Sequence, residues 1–269
     1  MTSQLFDLTG RVAAISGAAS GMGRAACLAL AEHGADIVLF DLNADGAEAT
    51  AGEIRALGRR ALPVICNVSE PDRIREAFAT IDREFGRIDF LANIAGEGLR
   101  VSPEDITQEQ LLRVFQNLVF GRFCMCQEAG RRMLAAGKGS ILNIGSIASV
   151  SALGRNHIAY SMAMGAVVQM TRELSTEWAS RGVRVNAVLP AQTMNPDLAK
   201  RIGANPAMEA KWLSGIPRGR FGDPSDFQGL AVLLASDASS WITGAIIPMD
   251  GGNLAMNAGG TIGGVGVAG

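Results

Sequence analysis

The chain has 269 residues, of which 48% are hydrophobic and 19% charged, with a net charge of −2. That length supports one large core, and the near-neutral balance excludes the electrostatic footprint of a nucleic-acid or polyanion binder. Four cysteines without paired spacing (Cys27, Cys66, Cys124, Cys126) and two histidines argue against a metal site and fit free thiols in a reducing compartment.

Short apolar runs alternate with amphipathic stretches along the chain. Strands are expected at residues 12–16, 36–40, 61–66, 90–93, 140–144, 184–189 and 245–249. Their near-continuous apolar character is that of strands covered by helices on both faces. Helical patterns fall between them at residues 24–33, 44–57, 71–85, 109–136 and 158–180, the first four stopping at Gly34, Gly58, Gly86 and Gly137. Such alternation implies right-handed crossovers. The expected class is α/β, a single Rossmann-like doubly wound domain with a seven-stranded parallel sheet flanked by helices.

No composition break divides residues 1–252, which are expected to form one domain. Residues 195–222 are richer in Gly, Pro and polar side chains, with a short helical pattern inside, and read as a mobile segment over a cleft. After Asp250, eight of nineteen residues are glycine, so residues 253–269 are expected to be a tail, flexible or pinned by a neighbouring subunit. The N-terminus shows no basic segment leading into an apolar run, and no apolar stretch approaches the ~20 residues of a membrane span. A cytoplasmic protein without membrane contact is expected, and the Asn67-Val68-Ser69 glycosylation triplet then carries no meaning.

The first strand runs into Gly17-Ala18-Ala19-Ser20-Gly21-Met22-Gly23 and then a helix. A strand, a glycine turn and a helix N-terminus aim backbone N–H groups and the helix dipole at a pyrophosphate. Gly17 allows the turn, Gly21 lets the backbone approach phosphate, and Gly23 lets helix pack on strand. Asp41, at the end of the second strand, sits where a carboxylate binds both ribose hydroxyls of NAD and repels a 2′-phosphate. Leu42, Asn43, Ala44 and Ser20 bring no basic side chain, so NAD is expected over NADP.

The G-x-x-x-G-x-G spacing resembles the short-chain dehydrogenase/reductase family, and the resemblance runs from about Phe6 to Gly252. Asn93-Ile94-Ala95-Gly96 is similar to the family's Asn-Asn-Ala-Gly after the fourth strand. Asn67-Val68 resembles the Asp-Val pair that holds adenine. Asn117 resembles the helix-four asparagine that supports a catalytic water. Asn143-Ile144-Gly145-Ser146 resembles the strand-five end that supplies the catalytic serine, and residues 236–244 with Asp250-Gly251-Gly252 resemble the C-terminal region that packs on another subunit. The resemblance implies a cofactor site formed by Gly17, Ser20, Gly21, Met22, Gly23, Asp41, Leu42, Asn67, Val68, Asn93, Ala95, Gly96, Pro190 and Thr193. After strand six, Pro190-Ala191 replaces Pro-Gly, and Asn195 stands where a threonine often contacts the carboxamide; Thr193 or Asn195 is expected to donate there.

Tyr160, the only tyrosine, opens the frame of the family's Tyr-x-x-x-Lys helix, but Met164 stands at the lysine position. Tyr160 is the expected acid and base for hydride transfer between a carbinol carbon and nicotinamide C4. With a pKa of about 10, about one tyrosine in a thousand is ionised at pH 7. A lysine near 4 Å supplies roughly 4 kcal/mol at an effective dielectric of 20, about three pKa units. Methionine has neither charge nor donor. Arg155 and His157 precede the helix and Arg172 lies too far along it to substitute. Met164 also fits a core stripe with Tyr160, Val167 and Val168. Three explanations stand: an introduced replacement of lysine in an otherwise intact enzyme, a natural subunit that props up an active partner, or a slow enzyme with an unassisted tyrosine. The intact glycine turn, Asp41, Ser146 and Asn117 favour the first.

Ser146 is expected to hold the substrate oxygen, with Ser149 and Ser151 as alternatives because the Ser146–Tyr160 interval exceeds the family's by one residue. Substrate contacts are expected from residues 97–101, 150–158 and 195–212, which mix Arg100, Arg155, His157 and Arg201 with Met194, Met208 and Trp212. The basic residues fit a sugar or sugar acid and the methionines an apolar alcohol. The expected function is an NAD-dependent alcohol dehydrogenase, impaired by Met164; the alternatives are a non-catalytic subunit and a dinucleotide sensor. Apolar residues on several faces of the two long helices (Phe115, Leu118, Phe123, Val168, Met170, Trp178) suggest a dimer or tetramer.

Overall fold

A computed structural model describes residues 4–257. Seven parallel strands, β1 (Val12–Ser16), β2 (Asp36–Asp41), β3 (Ala61–Ile65), β4 (Phe90–Asn93), β5 (Gly139–Ile144), β6 (Val183–Pro190) and β7 (Ile246–Met249), form one sheet in the order β3-β2-β1-β4-β5-β6-β7. Each expected strand is present to within a residue at either end. Both edge strands carry a proline, Pro63 in β3 and Pro248 in β7, where a missing N–H does not interrupt an inner ladder.

The strand period of two divides the core. Ala13 and Ile15 of β1, with Ile37 and Leu39 of β2, pack against α1 (Gly21–Glu32), α2 (Ala44–Ala56) and α9 (Gln228–Ala235). Val12, Ala14, Val38 and Phe40 face the other way, against α3 (Pro71–Phe85), α5 (Arg122–Ala136) and α6 (Ile158–Trp178). Burying each of the larger side chains contributes about 1.5–3 kcal/mol, so a strand shifted by one residue loses both layers.

Three differences from the sequence expectation matter. The helix expected over 109–136 is α4 (Gln108–Phe115) and α5 separated by a π-helical stretch, Gln116–Gly121. The cause is a tertiary contact: the Gly121 backbone approaches so closely that a Cβ there would lie 1.8 Å from the Val68 carbonyl oxygen, while Gln116 and Asn117 side chains bond to Ser69. Residues 195–222 carry two helices rather than one short helical stretch, α7 (Pro196–Gly203) and α8 (Pro206–Leu213), each capped by an asparagine side chain, Asn195 and Asn205. Residues 251–257 form turns: the Asp250 carboxylate accepts from the Gly252 and Leu254 N–H groups, and Asn253 donates to the Gly215 carbonyl at 2.5 Å. The remainder of the expected tail, 258–269, lies outside the described residues.

Candidate active site

Strand order reverses direction between β1 and β4, so the loops leaving their C-terminal ends diverge and open a crevice. The turn after β1 is built for close approach. Gly17 (φ 75°) and Gly21 (φ 53°) take left-handed conformations, and nothing lies within 4 Å of a Cβ built on Gly21. At Gly23 a Cβ would lie 1.9 Å from the Gly17 carbonyl oxygen, so only glycine lets the turn fold onto the helix. Ser20 makes no side-chain cap on α1, which leaves first-turn N–H groups available to an anion.

Asp41 closes this end of the crevice. Its Oδ2 accepts from Ala19 N at 2.9 Å and its Oδ1 from Asn43 N at 2.9 Å, and each oxygen keeps lone-pair capacity. A cavity of about 200 Å³ is lined by Gly17, Asp41, Leu42, Asn67, Val68, Ala95, Gly96 and Asn117. These residues fit the adenosine half of a dinucleotide: a glycine cradle, a ribose-facing carboxylate and no cation. Asn67 spends its side chain on its own turn, accepting from Ser69 N and donating to Glu70 Oε1. Asn93 is buried beneath the crevice, donating to Asn143 Oδ1 at 2.9 Å; Asn143 donates onward to Thr171 at 3.0 Å. Asn117 ties two loops together, accepting from Glu97 N at 2.9 Å and donating to Ser69 Oγ at 2.8 Å.

The other half of the crevice is a cavity of about 440 Å³ that brings together Met22, Gly96, Ser146, Tyr160, Pro190 and Thr193. Ser146 Oγ accepts from Ala148 N at 3.1 Å and has no acceptor among the described residues, so its proton is free for a ligand. Of the alternative serines, Ser149 accepts from Ser146 N and Ser151 donates to the Ile147 carbonyl, and neither lines the cavity. Asn195 also lines the cavity, but its Oδ1 caps α7, accepting from Leu198 N at 2.9 Å, and its Nδ2 donates to the Thr193 carbonyl at 3.3 Å, which leaves the Thr193 hydroxyl as the freer donor beside Pro190.

The Tyr160 ring packs on Gly98, where an added Cβ would lie 3.0 Å from Cδ2, and meets the His157 ring edge-on at 5.5 Å. Arg100 Nε donates to His157 Nε2 at 2.6 Å, so the imidazole is neutral with its proton on Nδ1. Burial, then the charges of Arg100, Arg155 and Arg201, push the His157 pKa below the ordinary value. Met164 lies one turn after Tyr160 and is 2% exposed, packed among Val114, Leu118, Ala163 and Val167. It lines neither cavity.

Arg122 is the residue that sequence reasoning missed. It is 4% exposed and spans the ends of two strands, donating to the carbonyls of Ala95, at 3.0 Å, and Ile144. Burial pushes its pKa down to about 10, partly offset by the charge of an ionised Tyr160. The available signal was a lone arginine in an otherwise apolar helical stretch.

Comparison with known proteins matches this geometry. A family model described as "Enoyl-(Acyl carrier protein) reductase" matches residues 17–253. The D-threitol dehydrogenase of Mycolicibacterium smegmatis is 39% identical over 248 residues, covering 92% of this chain and 94% of that protein. The NAD-dependent glycerol dehydrogenase of Listeria innocua is 38% identical, covering 92% and 95%. The crystal structure of a gluconate 5-dehydrogenase from Burkholderia cenocepacia in complex with NADP and tartrate superposes with a TM-score of 0.88 at 30% identity, covering 94% of this chain and 99% of that one. A family match over residues 17–253, identity of 38–39% sustained over nine-tenths of the length and a TM-score of 0.88 leave one conclusion: the chain belongs to the short-chain dehydrogenase/reductase family.

Proposed function

We propose that this chain is an NAD(H)-dependent oxidoreductase that interconverts a secondary alcohol and a ketone. The observation that carries the reading is the meeting of Ser146 and Tyr160 in one cavity at the nucleotide end of the sheet. NAD, when bound, supplies the hydride acceptor. The chain holds it by the Gly17–Gly23 turn and α1 N-terminus, by Asp41 on the ribose, and by Thr193 at the carboxamide end. Ser146 donates to the substrate oxygen and holds it against Tyr160, which takes the hydroxyl proton in oxidation and returns it in reduction. Gly98 and His157 fix the ring. Asn117, Ser69 and Glu97 hold together the loops around the site. Asp41 without a neighbouring cation favours NAD, although relatives of both coenzyme types exist.

Met164 takes the position of the family's lysine and supplies no charge. Among the described residues Arg122 is the one fully buried cation, but it is anchored to the Ala95 and Ile144 carbonyls and does not stand at the family lysine's position. Turnover at neutral pH is therefore slow. The buried apolar setting of Met164 equally suits a subunit that binds NADH beside an active partner. Residues 1–252 act as the catalytic unit, and the working form is a homo-oligomer. The exposed apolar side chains for such an interface are Leu112, Phe120, Phe123 and Met162; Leu118 and Val168 belong to the core, because their helical faces turn towards α6 and the sheet.

The test is NADH binding followed by fluorescence, with turnover of alcohols and ketones measured in wild type and Tyr160→Phe. The reading requires binding in both and a turnover loss of about 10²–10⁴ in the variant. Absence of NADH binding would defeat it.

A further inference from the structure

Beyond Ser146 and Tyr160 the crevice carries positive charge that no ion pair among the described residues engages. Arg100, Arg155 and Arg201 line the same cavity as those two residues, and all three also line a neighbouring cavity of about 570 Å³ beside Trp212 and Lys211. Some arginines elsewhere reach carboxylates, as Arg11 reaches Asp237 and Arg220 reaches Asp226, and others, such as Arg60, Arg122 and Arg184, donate to backbone carbonyls. What sets Arg100, Arg155 and Arg201 apart is that the three share one cavity. Among the described residues, Arg100, Arg155, Arg201 and Lys211 have no carboxylate within the 4.0 Å of an ion pair. Asp197 lines the first cavity and pairs with none of them.

Their partners are neutral. Arg100 donates to the unprotonated His157 Nε2. The amide oxygen of Gln192, in the orientation that satisfies both groups, accepts from Arg155 Nη1 at 2.8 Å and Nη2 at 3.2 Å. The ring of buried Trp212 faces both the Arg155 guanidinium, at 4.5 Å, and that of Arg201, at 5.0 Å. Two planar forks, of the kind that match carboxylate and phosphate in geometry, are thus oriented by one indole with no ion pair to a carboxylate of the described residues.

We infer, on the dehydrogenase reading above, that the substrate carries an anionic group, carboxylate or phosphate, at the end remote from its reacting carbinol, and that Arg100, Arg155 and Arg201 hold it. Without such a group, burial and mutual repulsion disfavour the charges of Arg100 and Arg155, whose pKa values are pushed below the ordinary arginine range. An incoming anion reverses the repulsion and meets preoriented donors. A neutral polyol of the same length leaves both costs standing, so the cluster selects by charge as well as by shape. The chain's overall charge of −2 makes the cluster a local feature rather than a consequence of basic composition.

The experiment titrates NADH-saturated protein at low ionic strength with xylitol, xylonate and xylitol 5-phosphate, reading Trp212 fluorescence against a Trp212→Phe control and, in parallel, thermal stabilisation. An anionic member should bind about tenfold tighter than xylitol and lose that advantage in Arg155→Gln and in Arg201→Gln. NADH affinity, set at the other end of the crevice, should stay within about twofold. Preference for xylonate or for the phosphate ester identifies the anion. Equal binding of all three compounds, no binding by either anion, or an advantage that survives both substitutions overturns the inference. Because the readout is binding, an anion preference without turnover keeps the anion site and removes only the catalytic reading.

Discussion

The Arg122 guanidinium donates to the Ala95 carbonyl oxygen at 3.0 Å, fastening α5 to the end of β4, and its other arm fastens the same helix to Ile144 at the end of β5. One buried cation thereby sets the width of the crevice between the strands that present Gly96 and Ser146. Arg122→Met removes the donors and leaves two carbonyls short of partners, so unfolding stability should fall by about 2–4 kcal/mol, read from urea midpoints. Turnover should fall further than NADH binding, because Ser146 loses its fixed relation to Tyr160. An unchanged midpoint would show that water replaces the guanidinium at no cost.

Met164→Lys places an ammonium one turn after Tyr160 on the same helical face. Turnover near neutral pH should rise about tenfold or more, with the pH optimum of oxidation moving downward. Burial of that charge among Val114, Leu118 and Val167 should lower the melting temperature, and NADH should recover part of the loss. Met164→Leu separates packing from charge: it should keep the melting temperature and leave turnover unchanged. A lysine variant that binds NADH yet stays as slow as wild type would place the chain among non-catalytic subunits.

Asp41, which we propose holds the ribose, already accepts from Ala19 N and Asn43 N. Asp41→Ser removes the repulsion of a 2′-phosphate together with both anchors. The KM for NAD should rise about tenfold or more, while the ratio of NADP to NAD efficiency also rises. Steady-state kinetics with both coenzymes decide it; an unchanged ratio would remove Asp41 as the selector.

His157 gives the site a pH dependence of known sign. Its pKa is lowered by burial and by Arg100, Arg155 and Arg201, so the folded state favours the neutral ring. The unfolded state takes up the proton first as pH falls below about 6.5, and stability is lost on acidification. Melting temperatures of wild type should fall more steeply than those of His157→Gln between neutral and mildly acidic pH. An anion bound at the arginines should lessen the difference by offsetting their charge.

Local sequence carried most of the architecture. Runs such as Val12–Ser16 and Phe90–Asn93 are apolar at every position, and only strands buried on both faces tolerate that. Gly86 and Gly137 mark helix ends because each ends its helix in a left-handed conformation that other residues resist. The pairing of the Gly17–Gly23 turn with Asp41 was also legible, since both lie at strand ends that the repeating pattern places side by side.

What local pattern could not supply was anything decided by side chains arriving from distant segments. The π-helical stretch depends on Ser69 and Val68 meeting Gln116, Asn117 and Gly121, and nothing within residues 109–136 requires it. Asn195 could be a carboxamide donor on the sequence, but in the fold its oxygen caps α7 and its Nδ2 donates to the Thr193 carbonyl. The role of Arg122, like the convergence of Arg100, Arg155 and Arg201 on Trp212, exists only after three or four loops have been brought to one end of the sheet. Hydrophobic periodicity is a property of neighbours along the chain and survives in sequence. Electrostatic balance and hydrogen-bond commitment are properties of neighbours in space, and the tertiary structure alone decided them.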